Sequence, residues 1–99
     1  MTIVWVPSAK RDLSSISACH ESADGKAKAS GVLQRIVHGA SRLIEKPFLG
    51  HVSDSVDGVL ELHVENTPYL LPYRVVDRHV RILRVFHESQ DRPSAWQIE

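Results

Sequence analysis

Apolar and polar positions follow two different periods along this chain, and the change from one to the other falls shortly after residue 50. Thr2-Ile3-Val4-Trp5-Val6 is β-branched and aromatic and is closed by Pro7, which predicts a short strand. Ser8 then stands as a helix cap before Ala9, Leu13, Ile16 and His20, which recur at steps of four, three and four on one helical face. Asp24-Gly25 breaks that helix. From Lys26 a longer stripe of Ala29, Leu33, Ile36, Ala40, Leu43 and Ile44 predicts a second helix. It ends at Lys46-Pro47, because proline disfavours helical backbone in the residue before it. Two helices joined this closely form a hairpin.

Phe48 to Asp57 reads as loop, and beyond it the period is two. Leu60, Leu62 and Val64 alternate with Glu61, His63 and Glu65, the pattern of a strand with one wet face. Asn66-Thr67-Pro68 is a turn. Tyr69 to Val76 and His79 to His87 are both β-rich, and Asp77-Arg78 between them is short enough for a hairpin, although the favoured glycine is missing. Pro72 donates no ladder bond and so implies an edge or a bulge. The order β-α-α-β-β-β predicts an α+β fold, an antiparallel sheet with the N-terminal helical hairpin packed on one face, in a single domain spanning 1–99.

Composition narrows the class. The 99 residues, 42% hydrophobic and 24% charged, suit a globular domain with a thin core, for which a partner that buries more apolar area would matter. One cysteine, Cys19, excludes an internal disulfide, and the sequence shows neither a signal-peptide pattern nor a membrane-spanning run, so a cytoplasmic location is expected. Twelve Lys and Arg balance twelve Asp and Glu, which removes the whole-chain argument for nucleic-acid binding. His20, His38, His51, His63, His79 and His87 are scattered without ligand spacing, and no second cysteine joins them, so neither a metal nor a cofactor is expected. His51-Val52-Ser53-Asp54-Ser55 gathers the residue types of a hydrolase triad, but adjacency in sequence is not triad geometry, and no G-x-S-x-G elbow is present. Gly25, Gly31 and Gly39 do not make a phosphate loop.

The remaining signal is the last hairpin, where Arg74, Arg78, Arg81 and Arg84 stand against Asp77 alone. If Asp77-Arg78 is the loop, Arg74 sits opposite Arg81, and like charges so placed favour an anion or a carboxylate between them. The plainer reading is a solvated face, with Arg84 paired to a local acid such as Glu88.

Trp5-Val6-Pro7-Ser8-Ala9 with Asp12-Leu13 and Ile16, the helix ending in Pro47 and Gly50, Glu61-Leu62, and above all Pro68-Tyr69-Leu70-Leu71-Pro72-Tyr73-Arg74-Val75 and Ile82-Leu83-Arg84-Val85-Phe86-His87 together resemble the RelE/ParE superfamily of bacterial type II toxins. The resemblance covers nearly the whole chain and implies a small antiparallel sheet with two N-terminal helices against it. RelE-like members cleave mRNA on the ribosome with basic side chains, and this chain departs from them at each such place. It has Glu61 and His63 where they carry lysines, Leu70 where they carry Arg, Val85-Phe86-His87-Glu88 in place of V-G-x-R, and Trp96 in the region of their terminal Tyr. Carboxylates near a scissile phosphate repel it.

The resemblance therefore implies a ParE-like toxin of a plasmid-stabilising type, which poisons DNA gyrase and is neutralised in a hetero-oligomer with a cognate antitoxin. Candidate target-binding residues are Arg74, Arg81, Arg84, His87 and Trp96, and candidate antitoxin-binding residues are Leu13, Ile16, Leu33 and Ile36. The alternative is a ribosome-dependent endoribonuclease using Arg74, Arg84, His87 and His63, and a third reading is an inert binding module of the same fold. The tail from Glu88 to Glu99 is polar apart from Trp96 and Ile98, and is expected either to cap the sheet or to extend the target-binding surface.

Overall fold

The computed structural model describes residues 1–53 and 56–89. Strand β1 (Thr2–Trp5) leads into helices α1 (Pro7–Asp24) and α2 (Lys26–Ser41), and a 3-10 turn, Arg42–Ile44, extends α2. Strands β2 (His51–Val52), β3 (Leu60–His63), β4 (Tyr69–Val76), β5 (His79–Ile82) and β6 (Phe86–His87) follow. Helix α1 starts two residues earlier than its pattern implied, at Pro7 rather than Ala9. Pro7 occupies the first helical turn, where its missing N–H costs nothing, and Val6 precedes it with extended backbone. Ser8 makes no cap; its hydroxyl accepts from Arg11 at 2.9 Å. Gly25, at φ +94°, separates the helices and takes a conformation that side chains resist.

The sheet order is β1-β5-β4-β3-β2, with β6 also on β4. It is mixed, which corrects the all-antiparallel expectation: β1 lies parallel to β5, Thr2 beside His79 and Trp5 beside Ile82. The helices return the chain at β2, which runs opposite to β1, and three antiparallel steps through β3, β4 and β5 then bring β5 beside β1 in the same direction. Strand β2 falls inside the segment expected to be loop, with two residues paired to Glu61 and Leu60. The β4–β5 hairpin turns at Asp77-Arg78 as expected, with both residues at positive φ, 50° and 64°.

Beyond β5 the expected continuous strand breaks. Tyr73 pairs with Ile82 and Leu83 donates its N–H to Pro72, but Leu70 pairs with Phe86, so Arg84 and Val85 together face Leu71. This is a β-bulge. Pro72, which has no N–H to give, stands beside it, so its ladder bond is missing where the pairing is already interrupted.

The helical layer covers one face. Val6, Ala9, Ile36, Ala40 and Leu43 pack on Leu62, Leu71, Tyr73, Val80, Ile82 and Val85. On the other face the chain before β3 folds over a smaller cluster, Val59, Leu83 and Phe86 with Val56 against it. Gly50 holds the β2 end in place: its N–H donates to the Tyr73 hydroxyl at 2.9 Å, and a Cβ there would lie 2.7 Å from the Glu61 carbonyl oxygen. No helix among the described residues is long and apolar enough to cross a membrane.

Candidate functional site

Neighbouring residues on a strand point to opposite faces, and Tyr73 and Val75 belong to the helix-side core, so Arg74 points to the open face. Arg81 stands directly opposite it on β5, as the two-residue loop predicted. Arg74 is not loosely solvated. Its Nε is buried without a hydrogen-bond partner among the described residues, and Gly58 passes so close that a Cβ there would lie 3.0 Å from Nη1. A half-buried guanidinium beside a second one gives this face a cationic centre, bordered by the Val59, Leu83 and Phe86 cluster, that suits a carboxylate or phosphate.

Arg84 has a different role from the one expected. Its partner is Asp12 on α1 rather than Glu88: Nε donates to Oδ2 at 2.7 Å and Nη2 to Oδ1 at 3.1 Å. Its guanidinium also lies over the Phe86 ring, 4.6 Å from the centroid. Glu88 instead lies 3.6 Å from His63.

The bulge moves His87. Unbroken alternation from Arg81 would place it on the open face, but the extra residue shifts the register and turns it to the helix side. There it packs edge-on against Tyr69, ring centroids 5.6 Å apart, and its Nδ1 accepts the Ser89 N–H at 3.1 Å. The Tyr69 hydroxyl lies 3.0 Å from His20 Nε2. Burial raises the Tyr69 pKa above its ordinary value, and the nearby Cys19 adds to the rise. This His20–Tyr69–His87 cluster was not anticipated, and the single hint of it was His20 on the apolar stripe of the first helix.

The four residues of the endoribonuclease alternative are therefore not brought together. His63 alternates with the core residue Leu62 and so shares the open face with Arg74, His87 lies across the sheet from both, and Arg84 is held by Asp12. No group of three His, Cys, Asp or Glu among the described residues is arranged to hold a metal. Trp96 and the rest of the tail from residue 90 lie outside the described residues.

The four candidate antitoxin contacts also separate. Leu13 and Leu33 line an open furrow between the helices together with Val37, which is 49% exposed. Ile36 is fully buried in the core beneath α2, Ile16 packs against that core without lining the furrow, and Leu13 does both.

Comparison with known proteins agrees with this architecture. Residues 3–92 match the family described as "ParE toxin of type II toxin-antitoxin system, parDE". Among solved structures, a chain of the chromosomal ParDE toxin-antitoxin system from P. aeruginosa superposes with a TM-score of 0.80 at 30% identity, covering 88% of this chain and 95% of that one. No curated protein sequence matches the chain.

Proposed function

Because the chain belongs to the family of ParE toxins of type II toxin-antitoxin systems, we propose that it arrests growth by poisoning DNA gyrase and that a cognate antitoxin neutralises it. The observation that carries the reading is the separation of His87 and Arg84 from Arg74 and Arg81. Cleavage of RNA through its 2′-OH needs a base, an acid and a cation around one phosphate. Here the cations Arg74 and Arg81 face one way and His87 faces the other, while Arg84 is engaged by Asp12. On the face of Arg74 and Arg81 the one histidine of that candidate set, His63, stands beside Glu88. Such a face suits binding, and a large protein–DNA target offers the carboxylates and phosphates that its guanidinium groups take.

Antitoxin recognition falls to the opposite side of the molecule. The furrow lined by Leu13, Leu33 and Val37 suits the apolar face of a helix laid across the hairpin. The solved relative belongs to a toxin-antitoxin system, which supports a partner of that kind.

Induced expression with radiolabelled precursors tests the reading. Early loss of DNA synthesis with filamentous cells, relieved by the antitoxin, is the expected result. Early loss of protein synthesis with codon-phased mRNA cuts would replace it with the ribosome-dependent reading, and unaffected growth would leave the inert binding module.

A further inference from the structure

The furrow does not end on the hairpin. From Leu13, Leu33 and Val37 it continues along α2 into an apolar hollow that reaches His38 and Ser41. His38 is also a wall of a cleft of about 330 Å³ between α2 and the end of β3, lined by Arg35, His38 and Arg42 on one side and by residues 62–66, Glu65 among them, on the other. Gly39 brings the helix down onto the sheet here, since a Cβ would lie 3.1 Å from Val64 Cγ1. One track thus changes from apolar to basic as it crosses α2.

We propose that this cleft takes the carboxylates of an acidic segment that directly adjoins the apolar segment of the antitoxin. The inference rests on the antitoxin reading above and adds the chemistry and order of the partner's chain. Two guanidinium groups, Arg35 and Arg42, and the His38 imidazole line the cleft against the carboxylate of Glu65, while the His63 ring is directed to Glu88. The Arg42–Glu65 contact, 3.2 Å long, has side chains 43% and 76% exposed, and so exposed a pair contributes at most about 1 kcal/mol and exchanges readily for a better partner. Arg35 and Arg42 are two helical turns apart, roughly 10 Å, which matches carboxylates three residues apart on an extended chain. A protein segment suits the track better than a nucleic acid, because the apolar stretch gives a phosphodiester backbone nothing to pair with.

The test uses the full-length chain and the antitoxin encoded beside it. The double variant R35E/R42E is expected to weaken the complex by about tenfold or more and to flatten its salt dependence, while R35K/R42K retains most of the affinity. Both positions are exposed, so the melting temperature should stay within about 3 °C of the parent. In the complex of the R35K variant, carbodiimide should join position 35 to an Asp or Glu next to the apolar segment of the antitoxin. An R35E/R42E variant that folds and binds the antitoxin as tightly as the parent overturns the inference and leaves the antitoxin reading standing. A parent chain that fails to bind the antitoxin overturns the reading itself. Loss of binding to fluorescent single-stranded RNA with antitoxin affinity unchanged overturns the inference in favour of a nucleic-acid surface.

Discussion

Asp12 on α1 and Arg84 at the bulge, 72 positions apart in the chain, face each other through two N–H···O bonds of 2.7 and 3.1 Å. The same carboxylate accepts the Val85 N–H at 2.9 Å. Val85 is the second residue of the bulge, so Asp12 supplies the bond that the interrupted ladder does not. One carboxylate thus ties the helical layer to the point where the sheet changes register, and that change decides which face carries His87. Asp12→Ala should lower stability by about 2 kcal/mol, the scale of hydrogen bonds to a charged group in a partly buried setting. Arg84→Ala should cost less, because Asp12 keeps the Val85 bond. A double-mutant cycle by urea unfolding should give a clear coupling between the two, and additive effects would contradict the linkage.

Arg78 sits at φ 64° in the β4–β5 turn, next to Asp77 at φ 50°. Asp tolerates this region through its short polar side chain, whereas Arg has no such relief. Arg78→Gly should therefore stabilise the chain by about 1 kcal/mol, the backbone strain removed exceeding the extra freedom of glycine in the unfolded state. Chemical denaturation measures it, and a destabilised variant would count against a strained turn.

Burial raises the Tyr73 pKa above its ordinary value, against the opposing effect of the Gly50 N–H donated to its hydroxyl. The folded chain then holds this proton at pH values where the unfolded chain, titrating at about 10, has begun to lose it. Its contribution is complete below about pH 10 and is lost as pH rises through the folded value. Tyr73→Phe should melt lower at neutral pH, where it leaves the Gly50 N–H without an acceptor, and should show a shallower decline above about pH 10. Parallel declines in the two proteins would contradict the assignment.

Leu33 and Ile36 stand on the same predicted stripe, and the structure gives them different work. Leu33→Asp should abolish antitoxin binding with little loss of stability, since Leu33 lines the open furrow. Ile36→Ala should cost about 3 kcal/mol, because Ile36 is fully buried in the core. Calorimetric titration with the antitoxin beside thermal melting separates the two, and equal effects in both assays would contradict the division.

The α-hairpin and the β3–β4–β5 meander were legible because each rests on a local period, 3.6 or 2, or on a turn of two residues. The Arg74–Arg81 pairing followed from the turn length alone. What escaped depends on contacts distant in sequence. The parallel place of β1 is chosen by its partner rather than its composition. Strand β2 is two residues long and has no period to detect. Pro72 announced an edge or a bulge, but not that the extra residue lay on the neighbouring strand, so the face that His87 takes was not legible in the sequence. A local acid was the natural partner for Arg84 along the chain, yet the fold supplied Asp12.

The open sheet face carrying Arg74 and Arg81 is proposed to act on gyrase by binding. The most direct measurement is supercoiling of relaxed plasmid by purified gyrase, with the parent chain, R74A and R81A at equal concentration, each shown by circular dichroism to be folded. The parent chain should inhibit, either substitution should relieve inhibition by about tenfold or more, and added antitoxin should abolish it. A folded parent chain that leaves supercoiling untouched while cutting mRNA in a translating extract would contradict the proposal.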